Sequence, residues 1–153
     1  MKFLHLANFY STNIGNGALI FGTERVLRED IHPDIEFVPE PWDEYVIENA
    51  LGPRKFDAGF ADLVNRHDAL LVGGAVTFNG RAHLADAGMR FNVSLPLLRQ
   101  IEKPIIFYGT SITQGGCASR PGMVHTAILQ RKLEHPVINL GFSFGLGGSG
   151  CAA

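Results

Sequence analysis

The segment Asp68-Ala69-Leu70-Leu71-Val72-Gly73-Gly74 decides the fold. Four apolar residues in unbroken order, closed by two glycines, do not alternate as a half-solvated strand would. They read as a strand over 69–72 buried on both faces, which belongs in a parallel sheet covered by helices above and below. The pattern recurs outward along the chain. Lys2–Ala7 is an apolar run before a polar loop, Ile105–Tyr108 ends at Gly109, Val137–Leu140 ends at Gly141, and Ile35–Val38 is a shorter candidate. Helical patterns separate these runs, over residues 17–28, 57–66, 93–101 and 121–133. Phe56, Phe60, Leu63 and Val64 fall at helical spacing, Pro96 constrains one start, and Pro121 suits a first turn. Residues 8–16 read as a loop. Residues 39–55, with Pro39, Pro41 and Pro53, read as an irregular connection with room for a helical turn near 44–49. The expectation is one α/β domain over residues 1–143, three layers deep, with a mainly parallel sheet of about five strands. Residues 144–153, rich in Gly, Ser and Ala, read as a frayed tail. No internal repeat or linker is visible.

Composition bounds the function classes. The chain has 153 residues, of which 46% are hydrophobic and 18% charged, and this excludes a disordered segment. With 13 Lys and Arg against 15 Asp and Glu, the formal charge of −2 offers no basic footprint for nucleic acid. The longest apolar stretch, Ala69–Phe78, is too short to span a bilayer and is broken by Gly73 and Gly74. The opening MKFLHLANFY makes a poor signal peptide and a good first strand. Cys117 and Cys151 build no disulfide framework. A soluble cytoplasmic protein is the expectation. The six histidines, His5, His32, His67, His83, His125 and His135, lack metal-ligand spacing, so neither a metal nor any other cofactor is implied.

In a parallel sheet the ligand crevice lies beyond the carboxyl ends of the strands. Four polar, glycine-rich words fall there: Ser11–Gly17, Gly73-Gly74, Gly109–Thr113, and Gly141-Phe142-Ser143. Tight turns alone account for any one of them; the four together, with hydroxyls and amides interleaved, favour a small-molecule site. The substrate-binding candidates are Asn13, Gly15, Asn16, Gly17, Gly73, Gly74, Gly109, Thr110, Gly141 and Gly145. The first word could offer backbone N–H groups to an anion at a helix start. Its glycines, Gly15, Gly17 and Gly22, are not spaced as a dinucleotide fingerprint, and no Walker lysine follows.

Two resemblances meet in these words. Asn13-Ile14-Gly15-Asn16-Gly17-Ala18-Leu19-Ile20, Asp68–Gly74 and Lys103-Pro104-Ile105-Ile106-Phe107-Tyr108-Gly109 resemble the first half of the polysaccharide pyruvyl transferase family, over about residues 1–110. The resemblance implies a Rossmann-like half-domain and transfer of a pyruvyl group from phosphoenolpyruvate to a sugar. The family's donor-binding basic residues come largely from a second half, which another segment or chain would have to supply. Ala75 stands where the family has a third glycine.

From Phe107 through Met123 the chain resembles the first conserved block of SGNH (GDSL-like) hydrolases, and Pro136–Ser143 resembles the strand into the second block, together about residues 107–143. The resemblance implies a serine esterase acting on an acyl ester, with Ser111 as nucleophile on the turn after a strand. Phe144 stands at the expected oxyanion glycine, and Gly145 follows one place late. The family's Asn block and its Asp-x-x-His block are not seen, and His135-Pro136 precedes a strand, the wrong context for the latter. The chain therefore reads as a composite of the two families, joined at the shared strand end.

The remaining residues are weighed more simply. His125 reads as a surface or satisfied core histidine, with a role as base for Ser111 the alternative. Cys117 near a helix start would have a lowered pKa but reads as structural. Trp42 reads as a core or lid aromatic, and Asn92-Val93-Ser94 is a sequon by spelling only. Three functions stay open: a pyruvyl-transferase-like domain, favoured by chain coverage; an esterase using Ser111; and an inactive folded module, favoured for measurable turnover because neither catalytic set is complete.

Overall fold

The computed structural model describes residues 1–10, 14–41, 55–73, 93–116, 118–119 and 122–142. Five strands, β1 (Lys2–Ala7), β2 (Glu36–Pro41), β3 (Ala69–Val72), β4 (Ile105–Gly109) and β5 (Val137–Gly141), form one sheet in the order β2-β1-β3-β4-β5. Every neighbouring pair is parallel. The helices are α1 (Ile14–Asp30), α2 (Ala58–Asn65), α3 (Leu95–Leu98), α4 (Ser111–Gln114) and α5 (His125–Leu133). The α/β architecture is the expected one, a Rossmann-like sheet of five parallel strands with helices.

The core has two layers because the central strands are apolar on both faces. On one face Leu4, Leu6, Leu70, Val72, Ile105 and Phe107 pack with Phe60 and Val64 of α2, Leu97 and Leu98 of α3, and Leu129 and Leu133 of α5. On the other, Phe3, Leu71 and Ile106 pack with Leu27 of α1. Asp57 caps α2, its Oδ1 accepting from the Gly59 N–H at 2.9 Å. Glu134 ends α5 in the left-handed region at φ 53, its N–H donating to the Gln130 carbonyl.

Several boundaries depart from the sequence expectation. β2 runs over 36–41 rather than 35–38, through Pro39 and Pro41 instead of breaking into a loop. The backbone shows why it can. The Glu36 N–H donates to the Met1 carbonyl, so even-numbered residues of β2 face β1 and odd-numbered ones face outward. Both prolines therefore sit at outward positions of an edge strand, where no ladder hydrogen bond is required of them. The helix expected from 17 begins at Ile14, which places Gly15 and Asn16 in a helical first turn rather than a loop. The buried stripe Ile20, Thr23 and Leu27 holds α1 on the sheet and outweighs the helix-weakening glycines. The helix expected over 93–101 is a single turn, capped by Ser94 Oγ accepting from the Leu97 N–H at 3.3 Å. The helix expected from 121 begins at His125. The Gly109–Thr113 word, read as loop, ends β4 and then coils into α4. Trp42, the turn near 44–49, Cys117, Pro121 and the tail 144–153 lie outside the described residues.

Glycine substitutions give a direct check on packing. Gly22 lies in α1 with nothing within 4 Å of where a Cβ would stand, whereas the Cβ position of Gly141 falls on the backbone of Thr113 and Gln114. Gly22→Ala should stabilise the protein by about 0.5–1 kcal/mol through helix propensity. Gly141→Ala should destabilise it by about 1–3 kcal/mol, the usual range for overpacking. Denaturant melts of the two variants should move in opposite directions.

Candidate functional site

Because all five strands are parallel, their carboxyl ends share one rim of the sheet, and the chain leaves β4 there through Gly109, Thr110 and Ser111. Ser111 is the first residue of α4 and is exposed, while its carbonyl accepts from the N–H groups of Gly115 and Gly116 at 3.0 and 2.9 Å. The turn is held against the next strand. Gly109 pairs with Gly141 in register, and the Phe142 N–H donates to the Gly109 carbonyl. Asn139 of β5 ties the two halves: its Nδ2 donates to the Thr113 carbonyl at 2.7 Å and to Thr126 Oγ1 at 2.9 Å. Its Oδ1 accepts from the Gly141 N–H at 2.8 Å. The absence of a side chain at Gly141 lets β5 approach α4, since a Cβ there would fall on the backbone of Gln114. One amide side chain and one glycine thereby fix the segment that presents Ser111.

The other candidates fall at different distances from this cluster. Gly109, Thr110, Ser111 and Gly141 come together. Gly73 adjoins them: its N–H donates to the Leu6 carbonyl, and a Cβ there would stand 2.9 Å from the Tyr108 carbonyl oxygen. Gly15, Asn16 and Gly17 start α1 after β1, at the same rim but two strands from β4, about 10 Å at usual strand spacing. The strand order reverses between β1 and β3, and crevices in open parallel sheets form at such a reversal, so Gly73 borders that point while Ser111 lies one strand beyond it. Asn13, Gly74 and Gly145 lie outside the described residues, as do Ser143 and Phe144.

Two polar features were not singled out from the sequence. Asn139 had a signal, an amide inside an apolar strand two residues before a glycine. His5, midway along β1, is fully buried, and its Nδ1 lies 2.9 Å from Glu24 Oε1. Glu24 also lies 3.8 Å from Arg28, whose guanidinium sits 4.7 Å over the Phe37 ring. His125 opens α5 with its ring edge-on to Phe107 at 5.4 Å. Among the described residues no group hydrogen-bonds the Ser111 hydroxyl. Among them, too, no set of three His, Cys, Asp or Glu side chains is placed to hold a metal ion, and no helix is long and apolar enough to cross a membrane.

Comparison with known proteins bears on this part of the chain. The family model of the GDSL-like lipase/acylhydrolase family matches residues 102–150, which include β4, α4, α5 and β5. No curated protein and no solved structure matches the chain. The match supports the GDSL-like resemblance of the second part, and no comparison supports the pyruvyl transferase resemblance of residues 1–110.

Burial pushes the His125 imidazole below its ordinary pKa of 6.5, because desolvation penalises the charged ring. The folded state then binds this proton less readily than the unfolded chain does. Stability is therefore full above about pH 6.5 and declines as the pH falls through the window between that value and the lower folded pKa. Thermal melts across this range should show a pH slope that His125→Phe reduces, since Phe keeps the ring on Phe107 and cannot titrate. An unchanged slope would remove His125 from the linkage.

Proposed function

We propose that the unit β4-α4-α5-β5 carries the nucleophile of a GDSL-like acylhydrolase, with Ser111 as the acyl-accepting residue and a small ester as substrate. One observation carries the reading: the family match spans the unit in which an exposed serine follows the carboxyl end of a buried parallel strand. A hydroxyl on such a turn is open to an incoming carbonyl, while the strand and the Asn139 bonds hold the backbone beneath it.

The chemistry assigns the parts. Ser111 Oγ would attack the ester carbonyl and lose its proton, the alcohol would leave, and water would then release the acyl group. Serine is a weak nucleophile until a neighbouring base takes its proton. The described residues offer the hydroxyl no such partner. Want of a base costs about 10²–10⁴ in rate for this kind of catalysis. Without a base the reaction at Ser111 would be slow, and a base from outside the described residues or from another chain would complete the set. A pyruvyl transfer reading gains no support from any residue described.

Prolonged exposure to a fluorophosphonate should label the protein at Ser111, and Ser111→Ala should abolish the label. Turnover of p-nitrophenyl acetate should stay close to that of the same variant. Labelling that survives in Ser111→Ala would overturn the assignment. Rapid Ser111-dependent turnover would show that a base is already present in the chain, with His125 the first residue to replace.

A further inference from the structure

The two rims of the sheet are built differently, and from this we infer that β5 is a pairing edge for a second copy of the chain. On the β2 rim the outward positions are Phe37, Pro39 and Pro41, so two of the three lack an N–H, and the exposed Glu36 adds charge. Prolines and charges are the usual devices that stop an edge from recruiting another strand. On the β5 rim none of these devices is present: Val137-Ile138-Asn139-Leu140-Gly141 has neither proline nor charge.

The backbone shows which groups of β5 face outward. The Pro136 carbonyl accepts from the Ile105 N–H, and the Phe142 N–H donates to the Gly109 carbonyl, so even-numbered residues bond to β4. Val137, Asn139 and Gly141 therefore direct their N–H and C=O groups away from the sheet, and β5 has no further strand beside it among the described residues. The Gly141 N–H is taken by Asn139 Oδ1. Among the described residues nothing takes the outward N–H groups of Val137 and Asn139 or the outward carbonyls along this edge.

This edge is self-complementary. A two-fold axis at Asn139 would set two β5 strands antiparallel, with Asn139 opposite its own copy and Val137 opposite Gly141. Two hydrogen bonds would form at Asn139, and each Val137 N–H would reach a Gly141 carbonyl. In the same register Ile138 falls opposite Leu140 as a non-hydrogen-bonded pair, the kind in which side chains approach most closely. Both residues lie on the α1 face of the sheet, where Leu140 packs at the margin of the core and Ile138 is 42% exposed. The pairing would bury Ile138 against an apolar neighbour on each side of the axis. No like charges would meet, since the strand carries none. An isologous contact of this kind closes on itself and yields a dimer rather than a filament.

Sedimentation velocity of the whole chain over about a hundredfold range of concentration should show a monomer-dimer equilibrium. Ile138→Lys should raise the dimer dissociation constant by roughly tenfold or more. Phe21→Lys, on the outer face of α1 where Phe21 is 74% exposed, should leave it unchanged. Amide exchange on the unaltered protein supplies a measurement that does not depend on any variant folding: the Val137 and Asn139 amides should exchange more slowly as concentration rises. A monomer throughout, a dimer weakened by Phe21→Lys and not by Ile138→Lys, or exchange at these two amides independent of concentration would each overturn the proposal. None of these outcomes bears on the labelling of Ser111.

Discussion

The rest of the structure depends on the two-sided pairing of β3. Ala69, Leu70, Leu71 and Val72 are buried at 3% exposure or less, with β1 along one edge and β4 along the other. A strand buried on both faces and both edges has no polar surface to offer water, so its backbone groups must be satisfied by neighbouring strands. Parallel neighbours meet that need only through crossovers long enough to return the chain to the same end. This forces the helices onto the faces and brings every strand's exit to one rim. The described candidates share that rim for this reason, whichever chemistry they serve.

The rim is organised by close backbone approach more than by side chains. Gly73 admits the Tyr108 carbonyl, and Gly141 admits the first turn of α4, in each case where a Cβ would collide. Asn139 then bonds to Thr113, Thr126 and Gly141, spanning β5, α4 and α5 with one amide. A half-buried amide with its bonds made fixes geometry tightly, since each unmade bond would leave a partly desolvated polar group. Ser111 inherits its position from this arrangement rather than from contacts of its own.

A second polar link joins α1 to the sheet on the opposite face. His5 reaches Glu24 from the centre of β1, Arg28 lies within reach of Glu24, and the Arg28 Nε–H donates to the Ile35 carbonyl at the start of β2. Helix, central strand and edge strand are thus tied through three side chains. The link orients α1 about its axis, which packing of its buried stripe alone would leave freer to rotate.

The chain's local pattern was enough to place β1 and β3, and to find β4 and β5 to within a residue. An unbroken apolar run closed by glycine has few homes other than a doubly covered strand, and the constraint is satisfied within a few residues. It also put Ser111 at a strand exit. What tertiary structure alone decided is everything that depends on which strand lies beside which. Pro39 and Pro41 continue a strand because β2 is an edge and its odd positions face outward. Gly15 and Asn16 are helical because α1 is held from below by Ile20, Thr23 and Leu27. Gly109–Thr113 closes into α4 because Asn139, 26 residues away from Thr113, supplies its bond. Sequence periodicity reports which faces of a segment avoid water. It carries no information on pairing order, and in a parallel sheet pairing order is set by crossovers and contacts between residues far apart in the chain.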